Sequence, residues 1–229
     1  MKFLFISAAL ACTCSLAAAQ GSTGLLDPFR EAQLESWLGA GNQNFTEIFS
    51  ATRGASSLDF HAAADGKGAT FALLQVSDPA GASWLVGAYN PQSWSSTDGW
   101  HLTPTDAERT AFVFNLTDSV VYRQVPTTYM FPSQGLHQTY NASKVGPVFG
   151  SGADLYVNDK LDTAFSWQLS YGDPADEGKS IIDRSLGAQL FHIDAFQMYT
   201  LSPVPELPAP AMFAAGLGLF ALLRRKRGV

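Results

Sequence analysis

Apolar and polar positions change rhythm along this chain, and each change marks an element. Phe3 to Leu16 is apolar or small throughout, and Ala209 to Leu223 is apolar again. Between them lies the pattern of a folded domain. Asp27-Pro28 opens a helix, with Asp as N-cap and Pro in the first turn. Leu34, Trp37 and Leu38 recur at helical spacing, and Gly39 closes the helix. Gly41-Asn42-Gln43-Asn44 reads as a loop. Phe45-Thr46-Glu47-Ile48-Phe49 alternates as a strand does, Ser56 to Ala64 predicts a short helix, and Asp65-Gly66-Lys67-Gly68 predicts a turn.

Strand patterns dominate from there. Ala69 to Val76 and Ser83 to Tyr89 are apolar runs joined by Asp78-Pro79-Ala80-Gly81, which predicts a hairpin. Ala111 to Leu116, Asp154 to Val157 and Phe165 to Leu169 predict short strands. Leu190 to Tyr199 predicts a strand that sets Leu190, His192, Asp194 and Phe196 against Phe191, Ile193, Ala195 and Gln197. Many short strands with turn signals between them predict an α+β, mainly β fold: a two-sheet antiparallel β-sandwich with a few flanking helices.

The two apolar ends carry addresses. Lys2, the apolar run and Ala17-Ala18-Ala19 have the layout of a secretory signal peptide over residues 1–19, with Gln20 as the new N-terminus. At the other end Arg224-Arg225-Lys226-Arg227 follows the apolar run directly, as in a stop-transfer segment with its positive end inside. The expected division is a lead-in and helix start over 20–33, the domain over 34–200, a linker over 201–208, a transmembrane helix over 209–223 and a basic tail over 224–229.

Composition changes once the ends are set aside. Both cysteines, Cys12 and Cys14, fall in the signal segment, so the exported domain has no disulfide, thiol nucleophile or thiolate metal site. The ends also hold five of the 14 basic residues and one of the 20 acidic ones. That leaves nine basic and 19 acidic residues, a net charge of −10. Such a surface repels polyphosphate and argues against nucleic acid as a partner.

Two stretches resemble known families. Val204-Pro205-Glu206, the apolar run and the terminal basic cluster resemble the PEP-CTERM sorting signal over the last 26 residues, with Leu207 in place of the second proline. The resemblance implies an exosortase-like processing protease as partner. It also implies a transient stay in the inner membrane and release toward the cell surface or an exopolysaccharide matrix. The second resemblance covers Leu34 to Thr200. Its parts are Phe45 to Gly54, matched to a first strand that bears an arginine, here Arg53, then Phe60-His61, Asp65-Gly66-Lys67-Gly68-Ala69-Thr70 and Gly87-Ala88-Tyr89 with Trp94-Ser95. Further along come Ala111-Phe112-Val113-Phe114-Asn115-Leu116, Gly146-Pro147-Val148-Phe149-Gly150-Ser151-Gly152-Ala153-Asp154-Leu155, and a closing strand with Asp194. This order resembles a TLDc domain, which implies a β-sandwich with flanking helices. In eukaryotic relatives the domain is associated with protection from oxidative stress and with binding the vacuolar proton pump. Ser151, Ala153, Asp194 and Gln197 depart from the residues usual there.

Candidate chemistry is sparse. The glycine stretch from Gly146 to Gly152 lacks the Lys-Ser/Thr pair of a phosphate loop and leads into a strand, so it reads as tight turning. His61, His101, His137 and His192 show no zinc spacing. Gly150-Ser151-Gly152 falls short of a nucleophile elbow. Asp173, Asp176 and Glu177 do not have EF-hand spacing. Trp84, Trp94, Trp100 and Trp167 are candidates for stacking on sugar rings or for the core. No catalytic residue, metal ligand or cofactor is assigned. The expectation is a non-catalytic binding or structural module of the cell surface or matrix, meeting exopolysaccharide or surface proteins. The alternatives are a secreted hydrolase of polysaccharide or cell wall and a protective module against oxidants.

Overall fold

The structure, a computed structural model, describes residues 24–205 apart from 98, 130, 132, 133 and 188. The signal segment, Gln20, Glu206, the apolar tail and Arg224, Arg225, Lys226 and Arg227 lie outside the described residues. Among the described residues no helix is long and apolar enough to cross a membrane.

Among the described residues the fold is mainly β, with two short α-helices. Helix α1 (Pro28–Leu38) is capped by the Asp27 carboxylate, which accepts from Arg30 N at 2.9 Å. Gly39 ends it in the left-handed conformation (φ 70°), as its lack of a Cβ permits. Strand β1 (Gln43–Ser50) leads to α2 (Ser57–Ala64). Then come β2 (Thr70–Ser77), β3 (Ser83–Asn90), β4 (Gly99–Leu102), β5 (Phe112–Asn115) and β6 (Val120–Arg123). Strands β7 (His137–Asn141), β8 (Val148–Phe149), β9 (Leu155–Val157), β10 (Thr163–Phe165) and β11 (Leu190–Pro203) complete the chain.

Hydrogen bonding joins all 11 strands, so the two expected sheets are halves of one antiparallel ladder. Its order is β4-β7-β8-β9-β10-β11-β2-β3-β5-β6, with β1 also on β11. Strand β11 is the junction. One of its edges pairs with β2 from His192 to Thr200. The opposite edge pairs first with β10, from Leu190 to His192, and then with β1, from Gln197 to Pro203.

The half containing β2, β3 and β5 is buried on both faces, and its sequence says so. Phe71, Leu73, Phe112 and Phe114 pack with Leu34 and Trp37 of α1. Ala72, Leu74, Val76, Val86, Ala88 and Val113 point the other way, into a core shared with Phe60 of α2 and with Phe149, Leu155, Val157 and Ala164 of the second half. A strand covered on both sides reads as a continuous apolar run rather than an alternating one. Aromatic rings bridge the two halves: Phe60 to Trp94 and Trp94 to Phe149 are edge contacts with centroids 5.5 Å apart.

One expected strand is corrected. The strand expected over Phe165 to Leu169 stops at Phe165, because the backbone N–H groups of Leu169, Ser170 and Tyr171 turn inward to the Asp154 carboxylate. Ahead of Leu34, Leu26 is buried against the α1 face, and Leu25 packs beside it. Past Thr200, β11 runs to Pro203, and Val204 N bonds to Asn42 O. Strands β4, β6, β7 and β8 were not foreseen. They are two to five residues long and take their pairing from neighbours rather than from an apolar rhythm of their own.

Gly87 sits in the middle of this doubly covered half. A Cβ there would stand 2.1 Å from the Ala72 carbonyl oxygen and 2.7 Å from the Phe114 ring. Gly87→Ala is therefore expected to lower unfolding stability by about 3 kcal/mol, the upper range for overpacking. Urea denaturation checks it, and a loss under about 1 kcal/mol would show that the sheet yields there.

Candidate functional site

The residues of the TLDc-like pattern gather in three places. The first is a buried staple. His61 lies on α2 with 4% of its surface exposed. Its Nδ1 is 2.7 Å from Asp65 Oδ1 and its Nε2 is 2.9 Å from Ala142 O. Both partners are acceptors, so a ring carrying both N–H groups satisfies both contacts. Asp65 Oδ2 accepts from Ser96 N at 2.7 Å, Gly66 N donates to Trp94 O, and Gly68 N donates to Ser93 Oγ. Trp94, 2% exposed, donates from Nε1 to Thr70 Oγ1 at 3.0 Å. Helix α2, the 65–70 turn and the 93–96 segment are thus locked together. Both ring nitrogens of His61 point inward to these partners, which makes it a packing residue.

The second place is the glycine stretch. Asp154 is fully buried and accepts from Leu169 N, Tyr171 N and Ser170 N at 2.7, 2.9 and 3.1 Å. A Cβ on Gly150 would stand 1.9 Å from Asp154 Oδ2, and one on Gly152 would stand 2.7 Å from Trp167 O. A Cβ on Gly146 would press on Val157 and Leu161 at 2.8 and 2.9 Å. These glycines make room for a carboxylate, a backbone and a core contact; Phe149 is buried between them. Burial pushes the Asp154 carboxyl up to about 7, while its three backbone donors pull the other way.

The third place is a cleft of about 670 Å³ that opens where β11 changes partner. Between the stretch paired with β10 and the stretch paired with β1, residues 193–196 have no strand on that edge. Only two backbone bonds of 2.9 Å close the ends of the gap, from Ile193 N to Asp162 O and from Ala51 N to Phe196 O. The register against β2 also slips between Ile193 and Ala195, so Asp194 is the extra residue of a bulge. Bulges re-aim side chains, and Asp194 stands exposed on the cleft wall.

Two tight turns form the other walls. In the first, Ala55 N bonds to Thr52 O, and Gly54 takes the third position with φ 88°, the corner a type II turn requires. Arg53 is carried at its tip, exposed, and lines the cleft. In the second, Leu161 N bonds to Asn158 O and Leu161 adopts φ 54°. A non-glycine residue held there costs about 1 kcal/mol or more. The cost is offset because the Leu161 side chain is buried in the core against Gly146. This turn presents Lys160 and Asp162. Ser57 ties the walls from behind: its N–H donates to Asp159 O at 2.7 Å, and its hydroxyl bonds to the Asp159 carboxylate and to Ser143 O.

The charges in the cleft are unevenly committed. Asp162 Oδ1 accepts from Asn158 Nδ2 at 2.7 Å and from Thr163 Oγ1 at 3.1 Å. The Asn158 bond, with the Lys160 charge nearby, holds its carboxyl below the usual range. His192 Nδ1 faces Asp162 O at 3.1 Å, and its Nε2 is 3.8 Å from Asp194. Arg53 and Lys160 have no ion-pair partner within 4 Å among the described residues.

The other candidates fall elsewhere. Ser151, His137 and Glu177 line a shallow pocket with Phe131, Gln134 and Leu169. No hydrogen bond links them as a relay: the Ser151 hydroxyl meets Ser170 Oγ, Glu177 accepts from Gln134, and buried His137 Nδ1 has no partner. Asp176 pairs with Lys179 and Arg184. Trp84 packs on Phe191 at 5.8 Å, while Trp100 and Trp167 are 41% and 44% exposed. Among the described residues no group of three or more His, Cys, Asp or Glu is placed to hold a metal ion. Val204 is exposed and Pro205 ends the described chain.

No protein-family model matches this chain, and no curated protein matches it. The likeness to a TLDc domain therefore rests on the order of the residues themselves. Sequence reasoning picked out Arg53 and Asp194 but missed their neighbours Lys160, Asp162 and His192 as members of one cleft. The signal that was present is Asn158-Asp159-Lys160-Leu161-Asp162, a turn sequence between two strands.

Two outcomes follow from these local structures. The folded Asp154 carboxyl binds its proton more tightly than the unfolded one, so its contribution to stability is full below about pH 4 and is lost as pH rises through 7. The loss is on the order of 4 kcal/mol. Carboxyl NMR of Asp154 is expected to titrate near 7, with the thermal midpoint falling between about pH 4 and 7 and levelling off above that; a titration near 4 would contradict the burial argument. Leu161→Gly relieves the left-handed strain yet removes a buried leucine, so a net loss of about 2 kcal/mol is expected in chemical denaturation. A gain in stability would mean that the strain outweighs the packing.

Proposed function

We propose that the chain is exported, held briefly in the inner membrane, and released as a cell-surface or matrix protein. In this reading its β-rich, TLDc-like domain binds rather than catalyses. The observation that carries the binding part is the cleft along β11. It is walled by two tight turns, one of them strained at Leu161, and by a bulge, and strained turns and bulges concentrate at functional sites. Its charged groups Arg53, Lys160, Asp162, His192 and Asp194 all stand exposed. Groups in that setting recognise a ligand by charge and hydrogen bonds, whereas general acids and bases are usually tuned by burial.

The export part is supported by the ends. Lys2, the apolar run and Ala17-Ala18-Ala19 fit a signal peptide, and the short apolar tail with four terminal bases fits a temporary anchor. The partial Val204-Pro205-Glu206 motif points to an exosortase-like protease as the processing partner. Strand β11 runs directly into that motif, so the folded domain would sit close to the membrane before processing.

Mass spectrometry of the protein recovered from an exporting host tests this reading. The expected mature form begins at Gln20, lacks the basic tail, and is found outside the cytosol. Recovery of the intact chain, basic end included, dissolved in the cytosol would overturn it.

A further inference from the structure

We propose that the cleft between the 52–55 turn, the 158–161 turn and the bulge of β11 binds a carboxylate-bearing, hydroxyl-rich ligand of the uronic-acid sugar type. The inference deepens the binding reading above and rests on it, but not on the route of export.

Four observations lead to this class. The first is the state of the cations. Of the nine basic residues in the domain, Arg30, Arg109, Lys179 and Arg184 have carboxylates within 4.0 Å. Arg123 donates to Trp37 O and lies over the Phe112 ring. Among the described residues Arg53, Lys67, Lys144 and Lys160 have neither kind of partner, and two of these four, Arg53 and Lys160, line this one cleft. In a domain of net charge −10, two uncommitted cations on one concave surface form a local sink for an anion.

The second is the kind of anion. A guanidinium offers a planar fork that matches a carboxylate with two parallel hydrogen bonds, and an ammonium adds a point charge. Asp162 and Asp194 share the cleft, so a doubly charged phosphate would meet more repulsion than a singly charged carboxylate. The third is what those two acids do for a polyhydroxylated ring. Asp194 and Asp162 offer acceptors for sugar hydroxyls, and Thr52 and Ser56 line the same space with hydroxyls of their own. The fourth is shape. Leu161, Ile193 and Phe196, largely buried, give the cleft an apolar floor, and about 670 Å³ lies within the range of small-ligand sites.

Amide NMR of the full chain in detergent, titrated with sodium glucuronate, tests the proposal. Glucose carries the hydroxyls without the charge, acetate the charge without the hydroxyls, and inorganic phosphate the competing anion. The expected result is saturable shifts with glucuronate confined to residues 51–56, 160–162 and 192–196, with glucose and acetate at least roughly tenfold weaker. Combining Arg53→Ala with Lys160→Ala is expected to weaken glucuronate binding at least roughly tenfold while leaving the thermal midpoint in place, since both side chains are exposed and unpaired. Asp194→Asn keeps the acceptor and is expected to bind within a few-fold of the original chain.

Absence of saturable shifts, equal binding of glucose, tighter binding of phosphate, or an unaffected double variant would each overturn the proposal. The processed ends are measured separately, so a failed titration leaves the export reading standing. Failed export likewise leaves the titration standing.

Discussion

The pairing of β11 is the constraint on which the other features depend. One strand of 14 residues holds β2 along one edge and must satisfy the other edge with two different partners, β10 and then β1. Backbone groups in a covered sheet have to be paired. The change of partner can therefore occur only where something else takes up the slack. Here the slack is taken up by the Asp194 bulge and by single bonds to Asp162 O and from Ala51 N. The same irregularity joins the two halves of the ladder and opens the cleft between them.

Around that junction, buried polar groups act as fixed points in a core otherwise made of aromatic and branched side chains. Asp154 gathers three backbone N–H groups that would otherwise be unpaired in the interior, and it pulls the 169–171 segment out of the sheet to do so. His61 and Asp65 tie α2 to two loops that come from distant parts of the chain. An unsatisfied buried group costs about 1–3 kcal/mol. These contacts therefore specify which loops meet, more than they add net stability. The aromatic rings of Phe60, Trp94 and Phe149 supply the apolar burial that makes the arrangement affordable.

The functional reading follows from where rigidity ends. The staple and the Asp154 cradle turn their polar atoms inward and leave nothing for a ligand. The cleft does the reverse: its backbone is held by tight turns and by the Ser57–Asp159 tie, while Arg53 and Lys160 stand exposed with no ion-pair partner among the described residues. A rigid frame with uncommitted charged groups binds with little ordering cost. That is the physical basis for treating this surface, rather than the glycine stretch or the histidine pair, as the place where the protein meets its ligand.

Much of this was written locally in the chain. Asp27-Pro28 and Gly39 bound α1, Asp78 to Ala82 closes the β2–β3 hairpin, and the alternation from Leu190 onward marks β11, because caps, turns and periodicity depend only on near neighbours. The end patterns on which the proposed export rests are of the same kind, read from short-range pattern alone. Tertiary structure decided the rest. Phe165 to Leu169 has the composition of a strand, yet a buried carboxylate 15 to 17 residues away claims the backbone of residues 169–171. Strands as short as Val148–Phe149 exist only because neighbours pair with them. Arg53, Lys160 and Asp194 come from three separate segments. No local rule brings them to one cleft; the two-partner edge of β11 does, because hydrogen-bond pairing acts across the sheet rather than along the chain.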